Sequence, residues 1–105
     1  DCSGFVQAVF GLHGVPLPRD SADQARVGAR VGGDPVRAAH PGDLFFFRGR
    51  TSRRVVHLAI ALGGGRILHA AEPNGEVAED DLGARDGLGA ALAMRVAGVR
   101  RVLRT

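Results

Sequence analysis

The clearest alternation of apolar and polar positions along the chain runs from Val55 to Ala70, VVHLAIALGGGRILHA. Apolar and β-branched residues fill Val55 to Leu62, three glycines (Gly63, Gly64, Gly65) supply a turn, and Arg66 to Ala70 returns, which predicts a β-hairpin. Strand side chains alternate faces, so His57, Ala59 and Ala61 share one face while Leu58, Ile60 and Leu62 share the other. With the three glycines as the whole loop, Leu62 lies opposite Arg66 and Ala59 opposite His69. His57 and His69 are then diagonal neighbours on one face, about 7 Å apart. A slip of one residue would part them onto opposite faces.

The rest of the pattern predicts helices before this hairpin and strands around it. Phe5, Val6, Val9 and Phe10 recur at helical spacing from Cys2, giving a helix that opens at Asp1-Cys2-Ser3-Gly4 and ends near Gly11 or Gly14. Val15-Pro16-Leu17-Pro18 must be extended, because each proline lacks a donor and biases its predecessor away from helix. Ser21-Ala22-Asp23-Gln24 fits a capping box with Ser21 as N-cap, predicting a short helix to about Val27. Gly28 to His40 reads as loop. Pro41-Gly42-Asp43 is a turn feeding a strand from Leu44 to Arg48. The three consecutive phenylalanines in that strand cannot all face one way, so both faces should be covered. Gly49 to Arg54 reads as a polar loop, Glu72 to Gly75 as a turn, and Glu76 to Ala78 as a short strand. Asp80 to Ala93 has no clear period, and Arg95 to Leu103 reads as a closing strand interrupted at Gly98. No internal repeat or domain boundary is visible, so residues 1–105 are expected to form a single domain.

The candidate chemistry sits where helix and hairpin would meet. Cys2 is the only cysteine, on the face of its helix that packs against the fold. Free backbone N–H groups at a helix start favour negative charge on the sulfur, and a nearby imidazole would favour it further. Taken singly, such a cysteine is more often a small buried hydrophobe, and a strand histidine an ordinary half-buried polar residue. Together, a cysteine at a helix start and a turn-separated histidine pair have the makings of an activated nucleophile. His13 and His40 fall in loops and are expected to face solvent, and Asp43 is expected to hold backbone in place.

The run DCSGFVQAVF, then VPLPRDSADQ, PGDLFFF and HLAIALGGGRILHA, resembles the NlpC-type cell-wall peptidases, papain-like cysteine hydrolases of the bacterial envelope. The resemblance covers the chain from Asp1 to about Val77. It implies an α+β, papain-like fold with N-terminal helices packed on an antiparallel sheet. It also implies hydrolysis of an amide in peptidoglycan stem peptides. By motif position, Cys2 would be the nucleophile, His57 the base and His69 the residue that orients it, with Asp1 and Ser3 as candidates to touch substrate. The family normally carries a helix and a glycine-rich segment with an aromatic residue before the cysteine, whereas this chain begins at the motif. The reading is therefore of an N-terminally incomplete domain, with one oxyanion donor from the Cys2 N–H and the other expected upstream.

Composition trims the alternatives. The formal charge is +3 and all 14 basic residues are arginine, but they are scattered and the only aromatics are five phenylalanines, so nucleic-acid binding is not expected. No stretch reads as a membrane span or a signal peptide, and the first residue is Asp1. That points to a piece of a longer exported precursor, secreted or held in the cell envelope, and expected to be a monomer. Cys2, His57 and His69 would also serve as ligands of a catalytic zinc with an open position, but no short helical ligand pair accompanies them, and neither metal nor cofactor is expected. A wall-binding module without catalysis is the remaining alternative.

Overall fold

The computed structural model describes residues 1–71 and 75–103. In chain order the elements are α1 (Cys2–Leu12), α2 (Ser21–Gln24), β1 (Ala29–Arg30), α3 (Pro35–Ala38), β2 (Leu44–Arg48), β3 (Val55–Gly63), β4 (Arg66–Ala71), β5 (Glu76–Asp81), α4 (Gly87–Ala93) and β6 (Val96–Arg101). The strands form one sheet in the order β1-β6-β2-β3-β4-β5, with every pairing antiparallel. This is the α+β, papain-like arrangement expected from the motifs.

The three phenylalanines of β2 show why the sheet is buried on both sides. Leu44 and Phe46 point one way, into a cluster with Val6 and Phe10 of α1 and with Leu58 and Ile60 of β3. Phe45 and Phe47 point the other way, into a cluster with Ala59, Ala61, Ile67, Val99 and Leu92 of α4. The rings of Phe45 and Phe47 stack 6.1 Å apart along the strand. The sheet is therefore sandwiched between α1 on one face and α4, with Val36 of α3, on the other. At about 25 cal/mol per Å² of apolar surface, these two clusters dominate the stabilisation.

The hairpin keeps the expected histidine register by a different turn. Ile60 pairs with Leu68 and Ala61 with Ile67, but Gly63 pairs with Arg66, with a register shift between. The loop is thus Gly64-Gly65, with φ of 64° and 82°, and Leu62 is an extra residue in β3. A two-residue turn needs left-handed backbone at both positions, which glycine supplies. The bulge restores the parity that an even loop would have broken.

Elsewhere the structure corrects the sequence reading. Asp20, not Ser21, is the N-cap residue of α2, and it makes no side-chain cap bond. Gln24 does not reach back to cap. It is buried and donates to the carbonyls of Ser3 and Pro18, tying α2 to the start of α1. The supposed loop from Gly28 to His40 contains β1 and α3. The latter is capped by Asp34, whose carboxylate accepts from the Val36 N–H, with Pro35 at the first position. The strand expected over Glu76 to Ala78 continues to Asp81, and α4 lies in the stretch that showed no period. The turn expected at Glu72 to Gly75 falls, except for Gly75, outside the described residues.

Candidate functional site

The first turn of α1 is built by Asp1. Its Oδ1 accepts the Gly4 N–H at 2.7 Å, which satisfies one orphan donor of the helix and fixes Cys2 as its first residue. Arg19 closes over this turn, with Nη2 2.9 Å from Asp1 Oδ2 and Nη1 2.9 Å from Ser3 Oγ. Asp1, Ser3 and Arg19 line a cleft of about 760 Å³ together with Arg54 and Val55 at the entry to β3. Cys2 is half-buried and packs against the cluster beneath α1.

The two candidate histidines are in contact. His57 Nε2 lies 2.7 Å from His69 Nδ1, with the rings edge-on and centroids 5.0 Å apart. His69 is only 1% exposed, and its Nε2 in turn lies 2.7 Å from Asp80 Oδ2. His57 pairs with Phe47 across the strands and rests on its ring at 5.8 Å. A register shift between Phe47 and Arg48 bulges β3 at Val56, beside His57. Bulges of this kind re-aim side chains at the end of a strand.

His57, His69 and Asp80 therefore occupy three successive strands on the α4 side of the sheet, where the histidines line a cavity of about 430 Å³ with Leu88, Leu92, Arg50 and Arg95. Burial, then the proximity of His69 and Arg95, pushes the His57 imidazole down from its ordinary 6.5 to about 4. The structure thus presents His57 as a neutral ring at neutral pH, able to accept a proton.

Of the residues singled out from the sequence, the structure brings His57 to His69 and Asp1 to Ser3. It does not join Cys2 to either imidazole by a hydrogen bond among the described residues. Val55, two residues before His57, does pack against the same cluster as Cys2, so the entry to β3 borders both. His13 and His40 are exposed, as expected. Asp43 is buried, and its Oδ2 accepts the His40 N–H at 2.8 Å, a backbone-holding role. Among the described residues, no three of His, Cys, Asp and Glu converge as metal ligands. Sequence reasoning missed Arg19 and Asp80. The only signal for Asp80 was its two-residue spacing from Ala78, which puts both on one face of a strand once that strand is known to reach Asp81.

Known proteins are similar to this chain in sequence and in fold. The NlpC/P60 family matches residues 1–86. A γ-D-glutamyl-L-lysine dipeptidyl-peptidase of Bacillus subtilis (strain 168) is 39% identical over 71 residues, covering 67% of this chain and 23% of that protein. The murein DD-endopeptidase MepS/murein LD-carboxypeptidase of Escherichia coli (strain K12) is 36% identical over 78 residues, covering 73% of this chain and 39% of that protein. The chain thus spans less than half the length of these relatives. A crystal structure of an NlpC/P60 family protein from Bacillus cereus superposes with a TM-score of 0.77 at 33% identity, covering 99% of this chain and 32% of that one. Matched over most of its length in sequence and nearly all of it in structure, the chain belongs to the NlpC/P60 family.

Proposed function

We propose that this chain is the core of a cysteine peptidase that hydrolyses an amide bond in peptidoglycan stem peptides. The observation that carries the reading is the 2.7 Å contact of His57 Nε2 with His69 Nδ1. It occupies one nitrogen of His57, while Nδ1 makes no hydrogen bond among the described residues. Nδ1 would take the Cys2 thiol proton as the sulfur attacks the carbonyl, then return it to the leaving amine; water would hydrolyse the acyl-enzyme. The Cys2 N–H, an orphan donor at the start of α1, would face the developing oxyanion. The Cys2 to His57 contact would form on the substrate complex, as catalytic hydrogen bonds often tighten only there.

Asp1 and Ser3, held by Arg19 at the rim of the larger cleft, are proposed to contact the peptide beside the scissile bond. The names of the relatives, a γ-D-glutamyl-L-lysine dipeptidyl-peptidase and a murein DD-endopeptidase, support a wall-peptide substrate; a secreted or envelope location is proposed from that substrate. The test is digestion of purified peptidoglycan by the full-length protein, with the products read by mass spectrometry. New stem-peptide termini that vanish with Cys2→Ser are expected. Intact stem peptides after prolonged digestion would sink the proposal.

A further inference from the structure

His57 and His69 hydrogen-bond through two ring nitrogens, and such a contact has two possible directions. Either His57 donates its Nε2–H to His69 Nδ1, or His69 donates its Nδ1–H to His57 Nε2. Only the first leaves His57 Nδ1 with a lone pair, so only the first makes His57 a base on the side away from His69. Nothing in the histidine pair itself selects between them.

Asp80 supplies the selection. Its Oδ2 lies 2.7 Å from His69 Nε2, and an ionised carboxylate accepts hydrogen bonds without donating any. A neutral His69 facing it must carry its proton on Nε2, which leaves Nδ1 as the acceptor for His57. The second direction would set a bare His69 Nε2 against the carboxylate, two acceptors 2.7 Å apart. The neighbouring acids on β5 are otherwise engaged: Glu79 is paired with Arg66, and Asp81 Oδ1 accepts the Gly83 N–H. The Asp80 carboxylate has His69 as its one hydrogen-bond partner among the described residues.

On these grounds we infer that Asp80 is a positioning residue, one that sets the proton order of the whole row Asp80, His69, His57 and so decides which nitrogen of His57 is basic. The inference rests on the peptidase reading for its consequence, though not for its geometry. No proton passes along the row: the one accepted from the thiol is held on His57 Nδ1 until it goes to the leaving amine, the Nε2 protons stay where they are, and none reaches Asp80. Its negative charge also favours the imidazolium that His57 becomes, against the opposing charge of Arg95; Arg50 lines the same cavity.

The test uses the full-length protein with Asp80→Ala and Asp80→Asn. Long-range proton–nitrogen NMR reads the histidine tautomers without requiring activity. Wild type should show Nε2–H on both His57 and His69, and Asp80→Ala should show a mixture at both. Asp80→Asn keeps an acceptor without the charge, so it should hold the tautomers largely in place. On a soluble stem peptide, Asp80→Ala should lower kcat about tenfold with KM nearly unchanged, and Asp80→Asn should recover part of that loss. In both variants the acid limb of the kcat/KM profile should move to lower pH, because removing the carboxylate lowers the proton affinity of His57. A His69 carrying its proton on Nδ1 in wild type, or on both nitrogens, overturns the inference. So does an Asp80→Ala protein with unchanged tautomers and an unshifted profile. If wild type cleaves nothing, the peptidase reading fails alone, and the NMR result still decides the role of Asp80.

Discussion

Gly89 of α4 lies so close to the backbone of Asp81 that a β-carbon there would collide with the Asp81 carbonyl. The missing side chain lets α4 settle against the end of β5 and carry Leu92 into the core and Leu88 to the histidine cavity. Gly89→Ala should therefore push α4 off the sheet and destabilise the fold by roughly 2 kcal/mol, although alanine is the better helix former. Urea unfolding checks it; a stability equal to or above wild type would mean that helix and strand can separate freely.

Asp43, just before β2, and Arg101, at the end of β6, clamp one end of the central β2–β6 strand pair. The guanidinium of Arg101 forks onto the Asp43 carboxylate, with Nη2 2.9 Å from Oδ2 and Nε 3.1 Å from Oδ1, while the same carboxylate holds the His40 N–H. Asp43→Ala should cost about 3 kcal/mol, since a buried carboxylate with several donors is lost and those donors are stranded. Asp43→Asn should cost less, because the backbone bond can persist. Denaturant midpoints for the two variants, compared with wild type, measure the order.

The lowered proton affinity of His57 makes the fold acid-sensitive. Between about 6.5 and about 4 the unfolded chain takes up a proton on His57 that the folded chain refuses. The unfolded state thus binds more protons, and stability falls as pH drops through that window, then levels off for this residue below it. His57→Gln, which does not titrate, should lose less stability than wild type between pH 7 and pH 4.5. Parallel losses in the two proteins would show that the imidazole protonates without strain.

Activity should respond to the cysteine and not to metal. Cleavage of wall peptides should persist in a chelator and disappear in Cys2→Ser, with binding to wall material nearly intact. His69→Asn or His69→Gln should retain more activity than His69→Ala, because either amide offers an oxygen to the His57 Nε2–H. Loss of cleavage in chelator and its return with zinc would favour a metal hydrolase.

The helix start at Cys2, the β2 strand and the facing histidines were legible because each depends on local pattern: apolar residues at helical spacing from Cys2, an apolar run, and alternation about a glycine turn. The histidine register came out as expected although the turn did not, since the bulge at Leu62 and the shorter loop offset each other in parity. Asp80 was not legible, because its place diagonal to His69, which pairs with Ala78, depends on how β5 registers on β4, and no local pattern in β5 sets that pairing. Helix α4 hid because Gly87 and Gly89 lower helical propensity just where close packing needs one of them, leaving Leu88 and Leu92 as its only periodic mark. The short α3 was marked by Asp34-Pro35, a cap followed by a first-turn proline, within a stretch otherwise rich in glycine and alanine. Arg19 follows a proline-rich segment whose path back to Asp1 is a tertiary matter.

The last strand among the described residues, β6, is not at the rim of the sheet but between β1 and β2. During synthesis, the three phenylalanines of β2 must therefore wait for some fifty further residues before their outer edge is paired. Until Val96 to Arg101 has emerged, that edge is an open template for any other extended chain. A nascent chain halted before Val96 should thus be captured by chaperones or degraded, and pulse-chase proteolysis of such stalled chains would reveal it. His57, His69 and Asp80 are already encoded by then, so the row is complete in sequence before the sheet that holds it is complete.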